Sequence, residues 1–215
     1  MIPLLHDFTD ETVLIFGGGP VGARKARRFA AEAEVVVVSP DFADREFGAA
    51  ALVREAPDAD AVREWVARTE PALVVAATDD AELNAVAEAA ARERGALVNR
   101  ADDHGEQDAG NVVVPATVRS DPVVMAVATG GHSPALSKHL RESFEERFAD
   151  AGKMAELTGN LREELKTSDM SPTERRDAVR TVVRSDEVWK ALDSGSPKAR
   201  QVAADVIGYQ MGDTS

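Results

Sequence analysis

The 215-residue chain has no cysteine. That excludes disulfide frameworks, thiolate metal sites and thiol nucleophiles together. It also lacks an excess of positive charge: 25 Lys and Arg face 38 Asp and Glu, for a net charge of −13. An acidic surface repels phosphate backbones and anionic lipids, so neither nucleic acid nor a membrane is an expected partner. No apolar run approaches the roughly 18 residues that cross a bilayer. The opening MIPLLHDFTDE carries no basic segment ahead of its apolar residues and soon turns acidic, unlike a secretory signal, so a cytoplasmic location is expected. Internal repeats and low-complexity linkers are missing as well.

What is present is alternation. Short valine-rich apolar runs at 12–17, 35–39, 51–54, 72–77 and 96–99 have the character of parallel strands buried on both faces. Helical stretches fall between them, at about 20–32, 58–68 and 80–94. In the last, Leu83, Val86, Ala87 and Ala90 recur at helical spacing. Strand–helix alternation predicts an α/β fold with a doubly wound, Rossmann-type parallel sheet over residues 1–110. The pattern then changes. Residues 111–118 and 122–128 read as two strands joined by a short turn over Ser-Asp-Pro, with no helix between. With the helix at 134–150 they make a small strand-containing region, 111–150, expected to serve substrate binding and dimerisation. Residues 151–215 read as a C-terminal helical domain. In it Ser171, Pro172 and Glu174 form the signature of a capping box with proline in the first turn.

The sequence VLIFGGGPVGARKARRFA, residues 13–30, joins the first strand to the first helix through G-x-G-x-x-G. Each glycine has a physical task there. Gly17 permits the tight turn, Gly19 lets a pyrophosphate approach the backbone, and Gly22 lets the helix pack closely on the strand. Pro20 and Val21 open the helix, whose N-terminal amides favour phosphate. In that fingerprint an acid at the end of the second strand holds the ribose hydroxyls. Here Ser39 stands in that place, followed by Asp41 and Phe42. Asp41 is in reach of the ribose, and NAD is expected over NADP. Thr78, at the end of the fourth strand, is a candidate cofactor contact; Thr78 or Asp79 is equally a candidate helix N-cap, and the two roles are compatible.

Two later stretches narrow the reading: Val98-Asn99-Arg100-Ala101-Asp102-Asp103, and Thr129-Gly130-Gly131-His132-Ser133-Pro134. Taken with GGGPVGARKA, V-x-SP at 37–40 and AATDD at 76–80, they resemble, in order and over residues 1 to about 205, the dehydrogenase/ferrochelatase module of siroheme synthase. The Arg175-Arg176 region is similar to the helical part of that module. The resemblance implies NAD-dependent oxidation of precorrin-2 to sirohydrochlorin, a homodimer, and Fe²⁺ as a further substrate if the module also chelates. With no methyltransferase segment following, a stand-alone form is expected.

The chemistry of the residues agrees. Removing a hydride from carbon also requires loss of a proton, and a carboxylate past a strand end is a suitable acceptor. The resemblance places that role on Asp102, with Asp103 as its neighbour; the structural alternative is that both cap a turn. Thr129, Gly130, Gly131, His132 and Ser133 can form an amide nest for substrate carboxylates, or simply a strand-to-helix turn. His132 could bind iron or shuttle a proton, with His139 seven residues on and His104 close to Asp102 as further candidates, but no second ligand stands at metal spacing from His132, so no resident metal site is expected. Cations able to guide a polyanion are Arg24, Lys25, Arg28, Arg100, Lys138 and Arg141. Val179, Val182, Val183, Val188, Trp189 and Leu192 can pack between subunits or within one chain. A non-catalytic NAD-sensing Rossmann module is the alternative function. Finally, an acidic, alanine-rich chain with 6 Lys against 19 Arg has the composition of proteins from salt-loving organisms, where charge repulsion is screened over about 3 Å near 1 M salt.

Overall fold

Five strands lie parallel in the order β3-β2-β1-β4-β5. They are β1 (Thr12–Phe16), β2 (Glu34–Ser39), β3 (Ala51–Arg54), β4 (Leu73–Ala76) and β5 (Leu97–Arg100). The central strand β1 pairs with β2 on one side, Phe16 opposite Val38, and with β4 on the other, Phe16 opposite Ala76. Strand order therefore reverses between β1 and β4, and ligands of such sheets sit at the carboxyl ends beside that switch. These coordinates are a computed structural model that describes residues 2–101 and 111–208. The chain divides into two compact units, Met1–Val114 and Pro115–Ser215.

In the first unit, Val13, Leu14, Ile15 and Phe16 are fully buried, because both faces of β1 are covered. Leu14 and Phe16 pack with Val62 and Val66 of α2 (Ala59–Thr69) and with Ala87 and Ala91 of α3 (Ala81–Glu93). Val13 and Ile15 pack with Ala23, Ala26 and Phe29 of α1 (Pro20–Phe29). Burying a valine or leucine side chain contributes about 1.5–3 kcal/mol, so the apolar run that marks the strand also fixes it at the centre. Asp58 and Asp80 cap α2 and α3, each accepting two backbone amides. The expected cap at Thr78 or Asp79 is thus corrected to Asp80: its carboxylate sits where the first free amides, those of Glu82 and Leu83, point.

The stretch expected as one strand over 111–118 is split. Asn111 bridges to Val98, and the Val112 amide donates to the Val98 carbonyl at 2.7 Å. Val112 and Val114 pack against the first unit's core. Pro115 has no amide for a ladder, and the antiparallel hairpin of β6 (Ala116–Ser120) and β7 (Val123–Val127) starts after it.

The second unit continues with α4 (Pro134–Arg147), α5 (Ala151–Lys166), α6 (Pro172–Arg184), α7 (Asp186–Leu192) and α8 (Ser196–Ile207). Leu161 and Leu165 meet Val182, Val188, Leu192, Ala199 and Ala203 in a core of their own. Val182, Val188 and Leu192 therefore fill this chain's interior, and of the six residues weighed for subunit packing Val183 is the one left exposed. The capping box of α6 is closed: the Glu174 amide donates to Ser171 Oγ at 3.3 Å and the Ser171 amide to Glu174 Oε2 at 2.7 Å. No helix among the described residues is long and apolar enough to cross a membrane.

Gly152 locks the hairpin onto α5. Its amide donates to Ser120 Oγ at 3.0 Å, and Ser120 Oγ donates to the Ala149 carbonyl at 2.9 Å. A Cβ there would run into the Asp121 carbonyl and lie 2.7 Å from that of Ser120. Gly152→Ala is expected to lower stability by about 1–3 kcal/mol through overpacking, leaving NAD affinity unchanged; a melting temperature equal to that of the parent would contradict this.

Candidate functional site

The turn from β1 into α1 is built by contact. Gly17 has φ +112°, a conformation L side chains rarely adopt, and a Cβ on it would strike the Ala77 carbonyl just after β4. Its amide donates to the Val38 carbonyl at 3.0 Å, while the Ala77 amide donates to the Phe16 carbonyl at 2.9 Å. A Cβ on Gly22 would strike the Gly17 carbonyl. Gly18, which sequence reasoning passes over, is equally enclosed: a Cβ there would meet the Asp41 carbonyl, the Phe42 ring and Ser39. Gly19 differs from all three. Nothing lies within 4 Å of where its Cβ would be, and it is the N-cap of α1 with no side-chain cap. Pro20 removes one unpaired donor, and the amides of Val21 and Gly22 remain without a carbonyl one turn back in the helix. Three crowded glycines around one open one make a cradle that fits a dinucleotide pyrophosphate.

The expected ribose position is occupied by structure rather than by a free hydroxyl. Ser39 is buried and its Oγ donates to the Asp41 carbonyl at 2.7 Å. Asp41 itself is exposed and paired with Arg54, Nη1 to Oδ1 at 2.6 Å; Arg54 also donates to the Pro40 carbonyl and lies 5.5 Å from the Phe42 ring centre. An ion pair this exposed contributes about 0–1 kcal/mol, so a ribose can compete for Asp41. Arg54 escapes a motif search, although its place at the carboxyl end of the strand beside β2 is the signal that finds it. Thr78 is held by Asn84: the Thr78 amide and Oγ1 lie 3.1 and 2.7 Å from Asn84 Oδ1, and Asn84 Nδ2 donates to the Thr78 carbonyl at 2.9 Å. Asn84 is fully buried, a polar residue on the apolar face of α3.

At the end of β5, Asn99 Nδ2 donates to the Val112 carbonyl at 2.7 Å. Asn99 Oδ1 is buried with no hydrogen-bond partner among the described residues. Arg100 donates to the buried Glu88 at 2.8 Å, and Arg92 reaches both Glu88, at 2.6 Å, and Asn111, at 3.2 Å. Arg100 is thus engaged by a carboxylate and not held ready for substrate. Asp102, Asp103 and His104 lie outside the described residues.

In the second unit, Gly130 and Gly131 have φ +60° and +80°, and the His132 amide donates to the Thr129 carbonyl at 3.1 Å. Two positive φ angles in sequence define a tight turn of the primed type. Ser133 caps α4 through the Leu136 amide at 3.2 Å, with Pro134 in the first turn. The Thr129 hydroxyl lies 3.1 Å from the Ser133 carbonyl and 3.0 Å from Ser137 Oγ, and accepts from the Ser133 amide. It shapes the turn, and the exposed backbone of Gly130 and Gly131 is what remains for an anion. His132 is exposed. No group of three metal-binding side chains occurs among the described residues. Lys138 and Arg141 pair with Glu142 and Glu145, whereas Lys25 on α1 makes no ion pair among the described residues. Burial, reinforced by Arg28 and Arg24, pushes Lys25 down to about 8.

Comparison with known proteins adds three findings. Residues 4–116 match the family described as "Putative NAD(P)-binding". The precorrin-2 dehydrogenase of Methanosarcina barkeri is 32% identical over 216 residues, 96% of this chain and 93% of that protein. Siroheme synthase 1 of Pectobacterium atrosepticum is 35% identical over 189 residues, 81% of this chain, and siroheme synthase 1 of Aeromonas salmonicida is 32% identical over 96% of this chain. The chain spans 36% and 44% of the lengths of those two synthases. The solved structure of SirC, a precorrin-2 dehydrogenase, superposes with a TM-score of 0.66 at 19% identity, covering 97% of this chain and 100% of that one; it shares the fold.

Gly19→Ala is expected to leave melting unchanged while weakening NAD at least about tenfold, a loss of about 1.4 kcal/mol. Gly18→Ala is expected to destabilise the fold itself, and the reverse order of effects in calorimetry and NAD titration would refute the cradle. Lys25 titrates lower in the folded than in the unfolded chain, so its charged form costs stability below about pH 8, and the cost fades as pH rises toward 10.5. Lys25→Met should therefore stabilise by about 1 kcal/mol or more at pH 7, with the gain shrinking toward pH 10; a gain independent of pH would refute the assignment.

Proposed function

The chain belongs to the family of precorrin-2 dehydrogenases and siroheme synthases, and on that premise we propose how its residues oxidise precorrin-2 to sirohydrochlorin with NAD. The observation that carries the reading is the glycine cradle at the β1–β4 switch point, in a chain aligned with 93% of a precorrin-2 dehydrogenase. That relation decides against a non-catalytic NAD-sensing module.

When bound, NAD⁺ supplies the hydride acceptor. Gly19, Val21 and Gly22 hold its pyrophosphate through backbone amides, with Gly17 shaping the turn and Pro20 starting the helix. Asp41 takes the ribose hydroxyls, exchanging Arg54 for them, while Ser39 and Phe42 support the backbone of that loop. Thr78, fixed by Asn84, borders the nicotinamide half. Asp102 would accept the proton that the tetrapyrrole loses beside the carbon giving up its hydride, so that the two hydrogens leave neighbouring atoms, a double bond forms between them, and NAD⁺ takes the hydride. Thr129, Gly130, Gly131, His132 and Ser133 seat substrate carboxylates at a nest on the N-terminus of α4. Fe²⁺ insertion into the product is a second activity of the same module, with iron as substrate and no resident metal.

The working form is a homodimer in the cytoplasm. Support for the dimer comes from α4, none of whose residues is buried within the chain, and from Leu136 on it, 47% exposed. A salt-rich cytoplasm suits the charge of −13.

Purified protein supplied with precorrin-2 and NAD is expected to form NADH and sirohydrochlorin together, and absence of both would sink the reading. Asp102→Asn should cut the rate by about 10²-fold or more with NAD affinity retained; normal turnover in the folded variant removes Asp102 from the mechanism. Activity should hold or rise between 0.1 and 2 M KCl, and a steep fall without unfolding would contradict adaptation to salt.

A further inference from the structure

The second unit carries a groove that the reaction described so far does not use. It lies between α5 and α6, encloses about 490 Å³, and is lined by Arg162, Lys166, Pro172, Arg175, Arg176 and Val179. On α5, Arg162 and Lys166 are four residues apart and share one side; on α6, Pro172, Arg175, Arg176 and Val179 do the same. Four cations thus line the groove together with a proline and a valine.

Their charge is poorly neutralised. Lys166 pairs with Glu163 at 2.7 Å. Arg175 and Arg176 are held by backbone carbonyls instead, those of Lys166 at 3.3 Å and Pro172 at 3.0 Å. Such bonds orient a guanidinium without cancelling its charge. Lys166, with a smaller contribution from Arg162, holds the Glu163 carboxyl below its ordinary range, and Arg162 makes no ion pair among the described residues. The acids nearby on α6 are committed elsewhere, Glu174 to the capping box and Asp177 to Arg180 at 2.9 Å. The concentration stands out against the rest of the chain. Residues 1–114 hold 22 acids and 11 bases, whereas 115–215 hold 16 and 14.

An inorganic anion is too small for this volume and gains nothing from the apolar Pro172 and Val179 in its lining. A flat ring edged with carboxylates matches both features, its face over Pro172 and Val179 and its acids on the cations. We propose that the α5–α6 groove binds the carboxylate-bearing edge of a tetrapyrrole. This rests on the tetrapyrrole reading above and assigns to the helical unit a part in collecting a polyanion that the acidic first unit repels.

The test is a fluorescence titration of the full chain with uroporphyrin, an octacarboxylate porphyrin that is not turned over. Arg162→Gln combined with Arg176→Gln should raise its dissociation constant about tenfold or more, with an unchanged melting temperature and unchanged NAD affinity. The Arg162→Lys and Arg176→Lys pair, which keeps the charge, should restore most of the binding. In turnover the glutamine pair should raise KM for precorrin-2 and leave kcat alone. Wild-type binding of uroporphyrin by the glutamine pair overturns the proposal, even if NADH still forms from precorrin-2. Loss of porphyrin binding in that pair, in a protein that makes no NADH, keeps the groove and overturns the dehydrogenase reading instead.

Discussion

The Gly17 carbonyl fills the space in which a side chain on Gly22 would begin, and the Ala77 carbonyl does the same to Gly17. These contacts bring the end of β1, the start of α1 and the end of β4 together at the point where strand order reverses. The turn can be that tight because β1 is buried on both faces and cannot shift. Gly18, pressed against the Asp41 loop, sets the position of β2's end in the same way. With three glycines closed in by neighbours, Gly19 leaves open space at the helix N-terminus, and the proposed dinucleotide site rests on packing as much as on amide chemistry.

Much of this was legible in the sequence, for a physical reason. A strand buried on both faces needs a continuous apolar run, so TVLIF, VVVVS and LVVA announce themselves, and the spacing of the glycines is dictated by the turn they make. The capping box at Ser171 and Glu174 is local chemistry and was equally readable. What escaped depends on contacts between segments far apart. Arg54 matters because β3 lies beside β2, and Asn84 because α3 returns its face to the Thr78 turn. The run at 111–118 shows the limit in a different way. Its valines read as one strand, yet Val112 belongs to the first unit's core and Val118 to the second's hairpin, with Pro115 between. Similarly, the apolar residues of α6 and α7 gave no sign of whether they face a partner; Val182, Val188 and Leu192 face their own chain.

Charge divides the chain as clearly as the fold does. The nucleotide-binding unit carries most of the negative charge, while the helical unit is near neutral and brings Arg162, Lys166, Arg175 and Arg176 together along α5 and α6. Cations that look available in sequence, Arg100, Lys138 and Arg141, are engaged by carboxylates. Lys25, just after the glycine loop, makes no ion pair among the described residues and is a largely buried ammonium with arginines for neighbours. Electrostatic reading of a helix surface thus needs the pairings, which sequence spacing alone does not supply.

In the proposed reaction the glycine cradle holds the acceptor of a hydride taken directly from the tetrapyrrole. Precorrin-2 carrying deuterium at the carbon that is oxidised tests it most directly, with the mass of the NADH formed as the readout. Direct transfer predicts one deuterium in each NADH formed. NADH without label, with the deuterium lost to water, would contradict the account.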